Sequence, residues 1–509
     1  MSTLQIGDDG VELDRDLASV QEVRDLVRQA RRAQEALAGM DQREVDRLVE
    51  AMAHAAEQAA APLAKMAVSE TGFGVEKDKI TKNLFAARRV YASIKDAKTI
   101  GVINEIPEKR IWEAAVPMGV VAGLVPSTNP TSTAIFKALI AIKAGNALII
   151  SPHPAAIKCI GETVRVLNGA IRKEGGPEGL IGMMTLPTLV GTAELMKLSN
   201  MILATGGSAM VKAAYSSGTP ALGVGPGNVP AFIERTCDIP AAVRRIMASK
   251  TFDNGTVCAS EQAIVTETCI RDQVIAEFKK QGGYFVSGEE EKKLAAVIMR
   301  QGSDTVNPRI VGRSALDIAG MAGIQVPQTT RVLLCHQEHV GREYPFSIEK
   351  LSPILAFYTE PDWQKACERC MELIRFAGLG HSCAIHTENP ELVRAFLLKK
   401  PVSRLLINTG STQGGIGAST GIMPSLTLGC GAVGGSATSD NVTVHHLYQV
   451  RRAAWGLIEP EDAEGGRASA PAPACAPEHR GESLSEAQRE QIVEAVLRQI
   501  RQGSSWSNT

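Results

Sequence analysis

VPMGVVAGLVPSTNPTSTAIFKALIAIKAGNALIISPHPAAIKCIGETVRVLNGAI, residues 116–171, is the stretch that decides the fold class. An unbroken apolar run is followed by a helix-length segment, with Gly145 as its C-cap. A second apolar run, ALIIS, then leads into a second helix-length segment. Strand-sized runs alternating with helices imply βαβ units on a parallel sheet. The runs are continuous rather than alternating, as expected when helices cover both sheet faces. MILAT and SAMVKAAYSS repeat the pattern. A second series starts near Ile239, where AIVTE, RVLLC, PILAFY, CAIHT and RLLIN alternate with helices such as Asp362 to Ile374. The expected fold class is α/β.

On the N-terminal side, Ser19 with Glu22 reads as a capping box opening one helix, and Asp41 begins a second. GVINEIPEKRIWEAAV, from Gly101, reads as extended, a hairpin candidate. NVTVHHLYQV, Asn441 to Val450, reads as a late lone strand. Such a strand needs a partner, and the Gly101 hairpin of the same or a neighbouring subunit is the expected one. Beyond Glu459 the composition turns Ala/Pro/Gly-rich, as in a flexible linker. SLSEAQREQIVEAVLRQIRQ then sets Ile492, Val493, Val496, Leu497 and Ile500 on one helical stripe.

A chain of 509 residues is too long for one ordinary core, and 44 % apolar with 21 % charged residues is globular composition. The net charge of −1 and 4 % aromatic content disfavour a nucleic-acid or anionic-membrane partner. The ten cysteines are scattered, which suits free thiols in a reducing compartment. No apolar run approaches the roughly 20 residues that span a bilayer, and the acidic opening residues lack a signal-peptide core. The expected location is cytoplasmic.

FDNGTVCASEQ, Phe252 to Gln262, puts Cys258 in a polar, glycine-bearing loop just before the AIVTE strand. A thiolate there could attack a carbonyl; the competing reading is a small buried hydrophobe. PSTNPT, Pro126 to Thr131, puts Ser127, Thr128 and Asn129 between a strand and a helix, where α/β sheets gather ligands. Asn129 could offer its amide to an oxyanion together with the Cys258 N–H, or could be an ordinary helix N-cap. Gly206, Gly207 and Ser208 would let a pyrophosphate approach a helix N-terminus, although a plain tight turn would also explain them. Ser151, Pro152 and His153 end another strand, in a position suited to the adenosine half of a dinucleotide. Glu349, in EKLSP with Pro353, could hold ribose hydroxyls or be a solvated acid.

In this order, Asn129, Ser151, Gly206/Gly207, Cys258 and Glu349 resemble the aldehyde dehydrogenase superfamily over about residues 15 to 455. ATGGSAMVKAAYSSG, GVGPGNVP, FDNGTVCASEQ and GLGHSCAIHT are similar to its CoA-acylating branch, which includes microcompartment propionaldehyde and acetaldehyde dehydrogenases. The resemblance implies a Rossmann-like cofactor domain, a catalytic α/β domain and a β oligomerisation extension, with Cys258 as nucleophile, Asn129 as oxyanion amide and Glu349 on the nicotinamide ribose. Hydrolytic relatives carry E-L-G-G, whose Glu activates water. Here Leu222-Gly223-Val224-Gly225-Pro226-Gly227 has no carboxylate, so a thiol acceptor can win. Gly223 is assigned with this stretch to the cofactor site. The usual Lys-Pro-Ser-Glu is Ser151-Pro152-His153-Pro154, which leaves NAD or NADP open.

The expected reaction is oxidation of a short-chain aldehyde, propionaldehyde or acetaldehyde, to its acyl-CoA by ping-pong transfer. NAD(P) is the cofactor and coenzyme A the co-substrate. His381 could deprotonate CoA, with a structural role as the competing reading. CERC, Cys367 to Cys370, has zinc-like spacing but no second pair, so no metal is assigned. The expected organisation is a cofactor domain over 1–100 and 117–237, a catalytic domain over 238–436 and oligomerisation strands at 101–116 and 437–458. A linker at 459–482 and an amphipathic helix at 483–502 follow. This tail resembles encapsulation peptides that draw enzymes into bacterial microcompartments, so a shell partner is expected along with a homodimer or homotetramer. A hydrolytic dehydrogenase and a non-catalytic cargo protein are the rival readings.

Overall fold

The structure, a computed structural model, describes residues 4–5, 12–300 and 305–459. The linker (save Glu459) and the 483–502 helix lie outside the described residues. The chain divides into two compact units. The larger, which takes in residues up to Gly101 and Ala115–Gln449, holds two all-parallel sheets.

The first sheet is built from β1 (Val120–Val125), β2 (Ala147–Pro152), β3 (Ile181–Met183), β4 (Met201–Thr205) and β5 (Ala221–Val224) in the order β3–β2–β1–β4–β5. β1 and β2 are buried along their whole length, as their unbroken apolar sequence requires. Strand order reverses between β1 and β4, and there the helix Pro130–Lys143 sends Lys137 into the core. Its Nζ donates to the carbonyls of Leu124 on β1 (2.6 Å) and Leu203 on β4 (2.7 Å). Burial holds the Lys137 pKa well below the ordinary lysine value. Gly145, with φ 76°, follows the C-cap Ala144 and turns the chain into β2.

The second sheet holds β6 (Val229–Ile233), β7 (Glu261–Glu267), β8 (Gly283–Val286), β9 (Val332–His336), β10 (Ile354–Glu360), β11 (Gly380–His386) and β12 (Val402–Ile407) in the order β8–β9–β10–β7–β6–β11–β12. It therefore begins ten residues before the Ile239 expected from the pattern. Pro230 hides β6 from a sequence reading, since proline cannot donate to a ladder; a register shift at Val229/Pro230 accommodates it. Phe232 and Phe396 stack within this sheet's core with ring centroids 5.5 Å apart.

The first helix starts at Arg15 rather than at Ser19: Asp14 caps it by accepting from the Asp16 N–H. Ser19 and Glu22 are engaged elsewhere. The Ser19 hydroxyl donates to the Leu186 carbonyl, and Glu22 accepts from Thr185 and Leu186. Asp41 and Glu44 form the capping box of Gln42–Gln58. The smaller unit contains most of a three-stranded sheet in the order Tyr448–Ala454, Ile111–Pro117, Gly101–Ile106. The late strand thus pairs with the Gly101 segment of its own chain. It begins at Tyr448 rather than Asn441, because Val444–His446 is a 3-10 turn pinned by Thr443 N–H donating to His446 Nδ1. Among the described residues no helix is long and apolar enough to cross a membrane, and the nine described cysteines are free.

Candidate active site

The loops at the carboxyl ends of β1, β2, β4 and β5 form one side of a cleft of about 640 Å³, within the larger unit. Its other walls come from Phe252, Thr256, Val257 and Cys258, from Glu349 to Leu351, and from the apolar group Ile416, Leu426 and Leu428. Of the residues singled out from sequence, Ser127, Thr128, Asn129, Ser151, Pro152, His153, Gly206, Gly207, Ser208, Cys258 and Glu349 all line it. The parallel strands of the first sheet deliver their following loops to this end, and the second sheet adds the segments that lead into β7 and β10.

Cys258 follows a backbone segment that few sequences tolerate. Asp253 (φ 50°) and Asn254 (φ 53°) are both left-handed, at a cost on the order of 1–3 kcal/mol each. The buried Asp253 carboxylate offsets this by accepting from Lys79 Nζ (2.9 Å), Lys82 Nζ (2.5 Å), Val75 N (2.7 Å) and Thr256 Oγ1 (2.7 Å). Burial alone would raise its pKa, but Lys82 and Lys79 hold it below the ordinary value. Asn254 Nδ2 ties the same turn to the Gly312 carbonyl.

Asn129 occupies the N-cap position of Pro130–Lys143, yet its side chain makes no capping bond. Its Oδ1 instead accepts from Lys82 Nζ at 2.5 Å. Its Nδ2 makes two long contacts of 3.2 Å, to the Thr256 carbonyl and Thr128 Oγ1. The ordinary N-cap reading is thereby removed.

Gly227 fixes the distance between the β5–β6 segment and the thiol loop. A Cβ there would lie 2.0 Å from the Cys258 carbonyl oxygen, and the Gly227 N–H donates to Glu349 Oε1 at 2.9 Å. Glu349 is the sole carboxylate among the described residues lining the cleft; burial raises its pKa to about 7. Burial, then Glu349, pushes the Cys258 thiol up to about 12, while Arg404 pulls the other way.

Three expected site residues lie off the cleft. Gly223 sits beneath the helix Ser208–Tyr215, where a Cβ would meet Val211 and Tyr215 at 2.8 and 2.9 Å, and Tyr215 holds its N–H. Pro353 leads into β10 and gives its carbonyl to Leu333 N. His381 is fully buried on β11 with Nδ1 on Ser382; burial, then Arg404, depresses its pKa to about 3, so it is neutral and poorly disposed to take a proton. Conversely, Lys79, Lys82, Asp253, Thr256 and Gly227 escaped the sequence reading. Their signal was the pair of lysines three apart in EKDKITKNL, which looks like a solvated helix face.

The residues at the cleft fit a dinucleotide. Gly207 is the N-cap of Ser208–Tyr215, no side chain caps that helix, and the space where a Cβ would stand is open, so a phosphate can approach the backbone. A cysteine lining a cleft beyond the carboxyl ends of a parallel sheet, beside a helix N-terminus open to a phosphate, is the arrangement of a thiol-dependent α/β oxidoreductase. The aldehyde dehydrogenase family is matched over residues 11–310, and the chain belongs to it.

It is 43 % identical over 445 residues to the bifunctional aldehyde-alcohol dehydrogenase AdhE of Escherichia coli K12, covering 86 % of this chain and 50 % of that one. The chain thus spans about half the length of the first curated relatives it matches. An acetylating aldehyde dehydrogenase from Geobacillus thermoglucosidasius superposes with a TM-score of 0.86 at 53 % identity, covering 88 % of this chain and 99 % of that one. A propionaldehyde dehydrogenase from the fucose-utilisation microcompartment of Clostridium phytofermentans gives a TM-score of 0.78 at 27 % identity, covering 85 % and 97 %.

Proposed function

We propose that the protein is a CoA-acylating aldehyde dehydrogenase, which converts a short-chain aldehyde to its acyl-CoA through a thioester on Cys258. The observation that carries this is the wall at Val224, Gly225 and Pro226, where a hydrolytic relative would offer a water-activating Glu and this chain offers none. Likeness to an acetylating enzyme along nearly its whole length supports the same reading.

The Cys258 thiol gives up its proton to solvent as Sγ attacks the aldehyde carbon, and the resulting oxyanion accepts from the Cys258 N–H and from Asn129 Nδ2, displacing one of its long contacts. NAD or NADP, when bound, would supply the hydride acceptor; Gly206, Gly207 and Ser208 would hold its phosphates, Ser127, Thr128, Ser151, Pro152 and His153 would line its length, and Glu349 would take a ribose. The thioester then waits for CoA thiolate. His381, being buried and neutral, takes the structural role. Val257, Ile416, Leu426 and Leu428 give the cleft apolar lining compatible with a short-chain aldehyde; acetaldehyde or propionaldehyde, with a slight lean to the latter, is what the family resemblance implies.

The 483–502 segment, by its resemblance to encapsulation peptides, supports a shell partner and a place in a microcompartment lumen. Exposed Val102, Trp112 and Val450 on the three-stranded sheet, with Trp455 just past its last strand, support a homodimer or homotetramer.

Purified protein with aldehyde, NAD and CoA should yield acyl-CoA and NADH together, and Cys258→Ala should abolish both. NADH formed without CoA, with free acid as product, would instead make Glu349 a water-activating base.

A further inference from the structure

We propose that Lys82 is a positioning residue for the oxyanion site, gripping the Asn129 carbonyl oxygen so that the amide N–H is both aimed and polarised. The inference rests on reading Asn129 as an oxyanion donor. An asparagine amide can present either end to a cleft, and only its NH₂ end can stabilise negative charge. Here the choice is made by an ammonium group. Lys82 Nζ lies 2.5 Å from Asn129 Oδ1, 2.5 Å from Asp253 Oδ2 and 3.1 Å from Thr256 Oγ1, one acceptor for each of its three N–H bonds. A flipped amide would set NH₂ against NH₃⁺.

The cation also draws electron density from the amide oxygen, which makes the opposing N–H a better donor to a forming oxyanion. Lys82 is 4 % exposed, its charge balanced by Asp253 and covered by the Phe252 ring at 5.5 Å. The same Asp253 oxygen binds Lys79, whose Nζ also donates to the Thr128 carbonyl at 2.8 Å. One buried carboxylate therefore ties the Asn129 loop to the loop carrying Cys258.

The test is a double-mutant cycle on CoA-dependent NADH formation. Lys82→Met should lower kcat by about tenfold or more, a fraction of the roughly 10²–10³ lost with a whole oxyanion donor. KM for aldehyde and CoA should stay within about twofold, since ground-state binding is not at issue. Lys82→Met combined with Asn129→Ala should be no slower than Asn129→Ala alone. The rate at which iodoacetamide alkylates the Cys258 peptide, followed by mass spectrometry, should be unchanged in Lys82→Met.

An undiminished kcat, a loss that adds in full to that of Asn129→Ala, or alkylation slowed in step with kcat would each overturn the inference. The last would mean that Lys82 merely holds the thiol loop. The unsubstituted enzyme in the same assay reports on the proposed reaction itself, whereas Lys82 is judged by the ratio of variant to unsubstituted rates.

Discussion

Replacing Gly227 with alanine is the sharpest probe of how the thiol is placed. The added methyl would stand 2.0 Å from the Cys258 carbonyl oxygen, 3.0 Å from its carbonyl carbon and 3.3 Å from His381 Cδ2. The backbone conformation at 227 suits alanine, because its φ is not in the left-handed range. The conflict is therefore purely steric. Real Cβ contacts essentially never fall below 3.0 Å, so the two segments must part by about 1 Å. A displacement of that size at a reacting atom costs on the order of 10²-fold in rate, and overpacking costs about 1–3 kcal/mol of stability. The same shift loosens the Gly227 N–H from Glu349, so KM for NAD should rise as kcat falls. Steady-state kinetics with NAD varied, alongside a thermal melt, measures both. A folded Gly227→Ala enzyme that keeps kcat within about threefold would refute this account of the thiol's placement.

Asp253→Asn should destabilise the enzyme by about 3–5 kcal/mol, because Lys79 and Lys82 lose the carboxylate that balances them. Burial already holds the Lys82 pKa down at about 8 against the pull of Asp253; without that carboxylate it falls further below its unfolded value, so the deficit in melting temperature should shrink as pH rises. Glu261, buried, has its pKa raised to about 7 by burial, against hydrogen bonds from Ser249 and the Ser411 N–H. Between pH 4.5 and 7 the folded state keeps a proton that the unfolded state has released, so this group's contribution to stability declines as pH rises through that window. In Glu261→Gln the decline in melting temperature should be shallower, leaving the share due to Glu349, and an unaltered pH dependence would count against the assignment.

The two parallel sheets were legible because their strands are apolar throughout and their helices are of ordinary length. β3, β5, β6 and β8 were not: β3 and β5 are runs of only three and four residues, Pro230 interrupts β6, and Gly283–Val286 is a short edge strand framed by glycines. At the site, the nucleophile loop and the glycine turn carry local signatures, since their chemistry needs particular residues in a row. The Lys82–Asp253–Asn129 linkage joins positions up to 171 residues apart. No local spacing encodes such a contact, and a buried lysine is indistinguishable in sequence from a solvated one. Gly223 misled for the related reason that glycine answers equally to a ligand and to a helix packed overhead.

Lys137 has a consequence for how the cleft can work. Its amine bridges β1 and β4, the two strands at which the order of the sheet reverses, and the loops that follow both strands line the cleft. The floor is thereby riveted. On the function proposed above, exchange of cofactor, aldehyde and thiol would then fall to the loops at the rim.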